Sequence, residues 1–590
     1  MKCVSLMLLS LNKKERMYID IEVNNKTIHA KKGDTILEAL RENGIYVPTL
    51  CNLSNFSPTG ACRLCVVEVK GKEQLVTACS YPVDEWMKIK THSPRVIEAR
   101  RMIVELLLSN HPEDCLYCER NNKCELQKLA QELNLRERRI TGKKNKGKLD
   151  LSSPGLVYDP AKCVLCGRCV RVCEEKERVS TLEFIGKGNF TSVSTTMKKD
   201  INFSNCIHCG QCILDCPTGA LQEKSYFDPI QEALAKDDVT VVAQYSPSVA
   251  VSLADEFNLR SGKDISGLIN SALRKIGFDK VFDNSFGTDV YVIEEAAELT
   301  DRLDKEENLP MLSSSCPAWV KYMEQAYPDL LPYISTVKSP EQLTGSIIKQ
   351  YCLESKDRMQ NDIYTVAIVP CPAKKFEAQR EEMTNKGISD IDAVISTREL
   401  AKLIQLYGID IENIDAEESD APFNINSSAA RLPASLGGST EAVLRTVHFN
   451  LTGKDMTDVK ISKLRGSKEI KQAKFSMNNK ELKVLAVSPV ANIKDELEKI
   501  RNNESEYHYI EVMACPGGCI NGGGQPFVKS EKSLRDRLRS VQNDDEKSSL
   551  RLAHKNTSAL RFIEEKFEEP FSEKAIKTLH TRYTKRDVLL

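Results

Sequence analysis

The N-terminal sequence lacks an apolar run long enough to span a bilayer. CVSLMLLSL, residues 3–11, is about half the required length, follows a single Lys2 and leads straight into NKKER. It also lacks the small-residue cleavage site of an export signal. These absences predict a soluble, cytoplasmic protein in which residues 1–16 are a dispensable extension or upstream start, ahead of the strand-like MYIDIEV that opens at Met17. Nor does either charge dominate. Lys+Arg number 83 against 84 Asp+Glu, so nothing global points to nucleic acid or an anionic membrane as a partner. Cysteine is what the chain does have. Twenty-one is an odd number in a chain without an export signal, which argues against a disulfide framework and for metal ligation.

At 590 residues several domains are expected. Residues 17–95 read as short strands, one helix (TILEALRENG) and a loop rich in Cys and Gly, a small α+β module. In 96–150 the helical RVIEARRMIVELLLS gives way to RERRITGKKNKGK, with seven basic residues against one acidic. A solvated linker is the expectation there, and steering of an acidic partner the alternative. Residues 151–225 hold two similar Cys-rich units. From 226 to 590 the pattern becomes α/β, with buried-strand candidates VTVVAQY and YTVAIVP between amphipathic helices. That length allows two lobes with a site between them.

The repeat reads CVLCGRCVRVC (Cys163, Cys166, Cys169, Cys173) and CIHCGQCILDCP (Cys206, Cys209, Cys212, Cys216). In C-x2-C-x2-C-x3-C, three thiolates of one loop hold three corners of a cubane and the fourth reaches the neighbouring cluster. Cys163, Cys166, Cys169 and Cys216 are therefore assigned to one [4Fe-4S] cluster, and Cys206, Cys209, Cys212 and Cys173 to the other. A pair of structural zinc sites is the alternative. Upstream, Cys51, Cys62, Cys65 and Cys79 have a spacing that suits a [2Fe-2S] cluster, looser than the plant type, with a four-Cys zinc site as alternative. Between these lies HPEDCLYCERNNKC. Its Cys115, Cys118 and Cys124 leave a cubane one ligand short, which His111 could supply or, as a helix-terminal residue, leave open. Several clusters in series, without a flavin or nicotinamide fingerprint among them, are a route for single electrons.

Four further cysteines lie in the large C-terminal region: Cys316 in SSSCPAW, Cys371 in VPCPAKKFE, and Cys515 and Cys519 in EVMACPGGCINGGGQP. Gly517, Gly518, Gly522, Gly523 and Gly524 lack side chains, which lets backbone approach a bulky inorganic group. The plainer reading makes Cys316 and Cys371 buried small hydrophobes and the glycines a tight turn.

Taken together, from Met17 to the C-terminal LHTRY, these motifs resemble the iron-only ([FeFe]) hydrogenases, specifically the long monomeric clostridial type with four accessory clusters. The resemblance implies an α+β multidomain chain: N-terminal ferredoxin-like iron–sulfur modules, then a large two-lobed α/β catalytic domain. It implies an H-cluster, a [4Fe-4S] cubane joined to a two-iron unit with CO, cyanide and a dithiolate bridge. Cys316, Cys371 and Cys515 would hold the cubane and Cys519 would bridge. It also implies His111 as a true ligand, a [2Fe-2S] cluster at Cys51, Cys62, Cys65 and Cys79, and Lys374 as donor to a cyanide, with Glu377 a retained acid nearby. The implied reaction is 2H⁺ + 2e⁻ ⇌ H2, with a ferredoxin or similar low-potential carrier as electron partner.

For protons the family uses a cysteine beside the cubane ligand, then a glutamate, a serine, a glutamate and an arginine. The matching positions here are Ser315, Glu295, Ser335, Glu298 and Arg302. Glu295, Glu298 and Arg302 fall on one helical face. Without the resemblance, Glu294, Glu298 and Arg302 would read as a solvated, salt-bridged face. Ser315 departs from the family's cysteine. A thiol of pKa about 8.5 exchanges protons near neutrality, while a hydroxyl near water's 15.7 would need on the order of 10 kcal/mol more to ionise. A hydroxyl can still pass a proton by accepting and donating at once. Val369, Ser246, Glu341, Pro433 and Ala434 also differ from the family's usual Met, Ala, Gln and Phe-Gly. A hydrogen-sensing or low-turnover relay, a cluster-assembly relative, and the electron-input arm of an NADH-linked complex are the competing readings.

Overall fold

The computed structural model describes residues 18–588 except 55, 138, 258, 355–361, 386, 457–459, 478–479 and 528–529. The expected extension 1–16 and Met17 lie outside the described residues. The first module is a five-stranded sheet in the order 26–31, 18–23, 88–90, 66–69, 76–77. Strand Tyr18–Val23 alternates outward and inward residues, sending Ile19, Ile21 and Val23 into a core shared with helix Ile36–Glu42. A capping box of Thr35 and Glu38 starts that helix. The antiparallel pairing of Val66 with Thr77 brings Cys65, just before one strand, close to Cys79, just after the other. Helix Pro94–Asn110 has Ser93 as its cap and Pro94 in its first turn. Its buried Arg100 donates to the carbonyls of Leu64 and Val66 at 3.1 and 2.8 Å.

The basic stretch 136–148 is mostly exposed, but it is tied down more than a free linker would be. Arg139 pairs with Glu105 of helix Pro94–Asn110 at 3.0 Å and Lys144 with Glu113, just past that helix, at 2.9 Å, so the segment lies back along the earlier helix. The two Cys-rich units then form a pseudo-symmetric pair. Short helices Arg168–Arg171 and Gln211–Asp215 each follow a left-handed glycine, Gly167 and Gly210, both at φ 75°. Antiparallel strands Leu156–Tyr158 and Leu221–Glu223 close the unit.

The remainder is built on two four-stranded sheets. One is all parallel, in the order Lys280–Asp283, Val239–Tyr245, Asp362–Val369, Ala393–Ser396. The other runs Met311–Leu312, Tyr509–Val512, Lys480–Val487, Ile470–Met477, parallel except for its last pairing. VTVVAQY and YTVAIVP are central strands of the first sheet and buried along most of their length, as their unbroken apolar runs predict. The long helix Ser285–Lys305 is buried through most of its turns. Among the described residues no helix is long and apolar enough to cross a membrane.

Candidate functional site

Ligands in open α/β sheets gather beyond the carboxyl ends of parallel strands. Three such ends deliver the late cysteines. Cys316 follows strand Met311–Leu312, Cys371 follows Asp362–Val369, and Cys515 follows Tyr509–Val512. The four thiols face one another. Burial, then the neighbouring Cys371, Cys316 and Cys519, push the Cys515 thiol far up, and burial with Cys371 and Cys316 does the same to Cys519. Burial and Cys316 push Cys371 up to about 12. Against burial, the backbone N–H groups of Ala514, Trp319 and Ala318 favour the Cys316 thiolate; two of them belong to the first turn of helix Pro317–Ala326.

Lys374 stands over this group. Its Nζ lies 2.8 Å from Glu341, 3.1 Å from Glu377 and 3.3 Å from the Ser315 carbonyl. Burial works against its charge, but the two carboxylates more than offset this and raise its pKa. Glu377 also accepts from Ser339 Oγ at 2.9 Å. Two glycines of the loop are also needed for protein contacts. A Cβ on Gly522 would sit 2.4 Å from the Pro370 carbonyl oxygen, and one on Gly523 2.3 Å from that of Cys209. At these two positions the close approach is made to other chain segments, because the loop is clamped between the Cys371 turn and the second Cys-rich unit.

Of the residues expected to carry protons, Ser335, Glu298 and Arg302 are contiguous: Ser335 Oγ donates to Glu298 at 2.9 Å and Arg302 donates to it at 2.6 Å. The solvated-face alternative is overturned by burial, since Glu294, Glu298 and Arg302 are 0, 1 and 8% exposed. Glu294 instead accepts from the Phe571 N–H at 2.8 Å and faces His580, whose other ring nitrogen meets Thr336. Glu295 is wholly buried, and neither of its carboxyl oxygens has a hydrogen-bond partner among the described residues. Burial pushes its pKa up to about 8, opposed by the hydroxyls of Tyr291 and Tyr509 and reinforced by Glu298 and Glu511. Ser315 Oγ does not bond to it directly. Its neighbour is Ser313 Oγ at 3.3 Å.

The N-terminal cysteines form local sets. Leu50 N–H points at Cys62 Sγ and Cys62 N–H at Cys51 Sγ, at 3.4 and 3.5 Å, while Cys65 and Cys79 are close neighbours that shift each other's thiols. Cys173, Cys206, Cys209 and Cys212 line one cavity. Cys163, Cys166 and Cys169 all face Cys216; after burial, it is the neighbour that raises the Cys169 thiol most. His111, Cys115, Cys118 and Cys124 share another cavity, of about 330 Å³. His111 Nδ1 lies 3.0 Å from the Pro112 carbonyl, which can only accept, so the proton is on Nδ1. Its Nε2 is buried and without a hydrogen bond, the tautomer and orientation a metal-ligating imidazole adopts. Among the described residues no three His, Cys, Asp or Glu are drawn tightly enough round one point to hold a single ion. Thiolates of a polynuclear cluster surround a larger body, one to each iron of a cubane and two to each iron of a [2Fe-2S] rhomb, and do not converge on one point.

Residues 239–523 match the family model of the C-terminal domain of the iron only hydrogenase large subunit, and 531–586 that of the iron hydrogenase small subunit. Iron hydrogenase 1 of Clostridium pasteurianum is 36% identical over 96% of this chain and all of its own length. The chain belongs to the iron-only hydrogenase family. The hydrogenase also resembles the NADP-reducing hydrogenase subunit HndD of Solidesulfovibrio fructosivorans, 37% identical over 97% of this chain and all of the relative. Apo [FeFe]-hydrogenase HydA1 of Chlamydomonas reinhardtii, as a variant, superposes with a TM-score of 0.53 at 32% identity, covering 60% of this hydrogenase and 98% of that chain. Further matches are a 2Fe-2S cluster-binding domain at 16–94, the NADH-ubiquinone oxidoreductase-G iron–sulfur region at 100–139, and a 4Fe-4S dicluster domain at 162–220. Sequence reasoning missed Ser313, Tyr291, Tyr509 and the Glu341–Lys374 pair. Tyr291 alone carried a signal, being one helical turn before Glu295.

Proposed function

We propose that this chain interconverts protons and electrons with H2 at an H-cluster held by Cys316, Cys371, Cys515 and Cys519. The observation that carries this reading is the convergence of four thiols, those of Cys371 and Cys515 buried, from three distant segments beside a doubly paired Lys374. In this reading the first three cysteines would hold the cubane and Cys519 would join it to the two-iron unit, which when bound would supply the redox chemistry of H2 formation and cleavage. The protein does the rest. Lys374 offers its N–H groups toward a cyanide while Glu341 and Glu377 fix its direction.

Electrons would enter through a [2Fe-2S] cluster at Cys51, Cys62, Cys65 and Cys79 and three accessory [4Fe-4S] clusters. Their ligand sets are His111, Cys115, Cys118 and Cys124; then Cys163, Cys166, Cys169 and Cys216; then Cys206, Cys209, Cys212 and Cys173. The last set adjoins the four-cysteine centre: Glu177 neighbours both Cys209 and Cys515. A ferredoxin or similar carrier is the proposed donor to a cytoplasmic monomer. Protons would move through Arg302, Glu298, Ser335 and Glu295, with a modified last stage at Ser315. A hydrogen-sensing or low-turnover relay is the second reading, favoured by the same Ser315, whose hydroxyl does not ionise near neutrality.

The test is to rebuild the clusters, insert the two-iron unit, record infrared CO and cyanide bands, and measure H2 evolution with a reduced dye. Bands with turnover are expected. Bands without turnover favour the sensing reading, and no bands in fully matured protein would sink both.

A further inference from the structure

Ser315 and Glu295 are the two ends of a gap, and the gap is lined with hydroxyls. Ser315 Oγ lies 3.3 Å from Ser313 Oγ. Ser313 Oγ lies 3.3 Å from the Tyr291 hydroxyl. Tyr291 precedes Glu295 by one turn of helix Ser285–Lys305, so both side chains leave the same face. A second tyrosine closes on the same point from another element. Parallel pairing of Met311 with Tyr509, and the Ser313 N–H bond to the Ile510 carbonyl at 2.9 Å, set Tyr509 beside Ser313. The Tyr509 hydroxyl faces both Ser313 and Glu295.

Burial makes this arrangement hard to dismiss as packing. Tyr291, Tyr509 and Glu295 are each 0% exposed, and Ser313 is 1% exposed. The Tyr509 hydroxyl and both Glu295 oxygens have no hydrogen-bond partner among the described residues. A buried polar group left unmatched is destabilising, so three such atoms turned toward one another mark a place where protein hydroxyls, or a water among them, complete the bonds.

Resting on the hydrogenase reading of the site, we propose that Ser315, Ser313, Tyr291 and Tyr509 form a hydroxyl wire that carries protons between Glu295 and the four-cysteine centre. Each step breaks one O–H bond and makes another. Glu295 gives its proton to a tyrosine oxygen as that tyrosine's own proton passes to Ser313 Oγ, and Ser313 in turn gives its proton to Ser315 Oγ. Ser315 releases its former proton toward the centre. No electron moves, and every hydroxyl ends neutral. The hops are concerted, because a serine accepts and donates at once without ever standing as an alkoxide. The two tyrosines act in parallel, each able to link Glu295 to Ser313.

The test uses Tyr291→Phe, Tyr509→Phe and the double variant. In full-length protein without the two-iron unit, the carbonyl stretch of protonated Glu295 is identified as the infrared band lost in Glu295→Gln. Each tyrosine variant should move that band to higher frequency, and an unmoved band in both would overturn the contact. In the loaded enzyme the double variant should lose roughly 10²-fold in H2 evolution, the scale of one positioned proton donor. Its solvent deuterium effect should grow while the CO and cyanide bands stay in place. Each single variant should lose less, and Ser313→Thr, which keeps the hydroxyl, should retain the rate that Ser313→Ala loses. An unchanged rate in the double variant would overturn the wire while leaving the hydrogenase reading intact. Wild-type protein without CO and cyanide bands would instead overturn that reading.

Discussion

At the scale of single residues, this site separates holding a proton from passing one. Glu295 holds. Its pKa is raised from 4.5 to about 8 chiefly by burial, so in the folded protein it keeps a proton that the unfolded chain releases. Folding stability on its account therefore falls as pH rises from 4.5 toward 8 and levels off beyond. Glu295→Gln should flatten the pH dependence of Tm in that window, read by thermal melts across pH; an equally steep slope would contradict the assignment. Ser315 passes. Ser315→Cys puts an ionisable thiol at the inner end of the path and should raise H2 evolution by up to roughly 10²-fold if the proton step limits. A rate that is unchanged or lower would show that this hop is not limiting. Lys374 orients. Glu341→Gln leaves its ammonium with Glu377 alone, and the expected sign is a shift of the cyanide bands in the loaded enzyme without loss of CO bands.

At the scale of elements, the loop Cys519–Gly524 and helix Ser285–Lys305 show how far pattern reading reaches. The helical face bearing Glu295, Glu298 and Arg302 was legible because a period of 3.6 residues is local. Its burial was not, since a charged face reads the same whether it meets water or a carbonyl-lined groove such as the one around Arg302. The three parallel strand ends explain why Cys316, Cys371 and Cys515 meet, yet strand order is set by tertiary packing and leaves no mark on spacing. Tyr509 was invisible for the same reason: its role depends on a strand neighbour about two hundred positions away. The cysteine triplets were the most legible part, because one tight loop contains most of each ligand set. Gly523 was recognised as special, but its contact with Cys209 was not legible. Gly523→Ala would press a methyl into the Cys209 carbonyl and should cost about 1–3 kcal/mol, as overpacking does, seen as a lower Tm in the mature protein.

At the scale of the whole molecule, iron–sulfur domains precede the hydrogenase domain, and the junction at the second Cys-rich unit is made by packing as well as by sequence. His208, between Cys206 and Cys209, lies 2.7 Å from Lys321 Nζ through Nε2 and 3.0 Å from Ser153 Oγ through Nδ1, and stacks on Phe376 at 5.0 Å. Burial, then Lys321, keeps it neutral, its pKa well below the usual histidine value. One side chain thus joins the second Cys-rich unit to the lobe that carries Cys371. If His111 completes an accessory cubane, His111→Ala should remove or alter one paramagnetic signal of the reduced protein. It should also slow evolution driven by ferredoxin more than evolution driven by a small dye, which can donate at several surfaces. An unaltered spectrum would return His111 to a structural role.

The contact at Gly523 has a consequence for engineering. Backbone touches backbone there, with no side chain able to yield, so the second Cys-rich unit and the hydrogenase domain have to match closely at this point. A chimera joined between Gly210 and Val239 brings together two surfaces from different parents. Cutting instead in the basic strap before residue 150 exchanges only the outer modules and leaves that fit untouched.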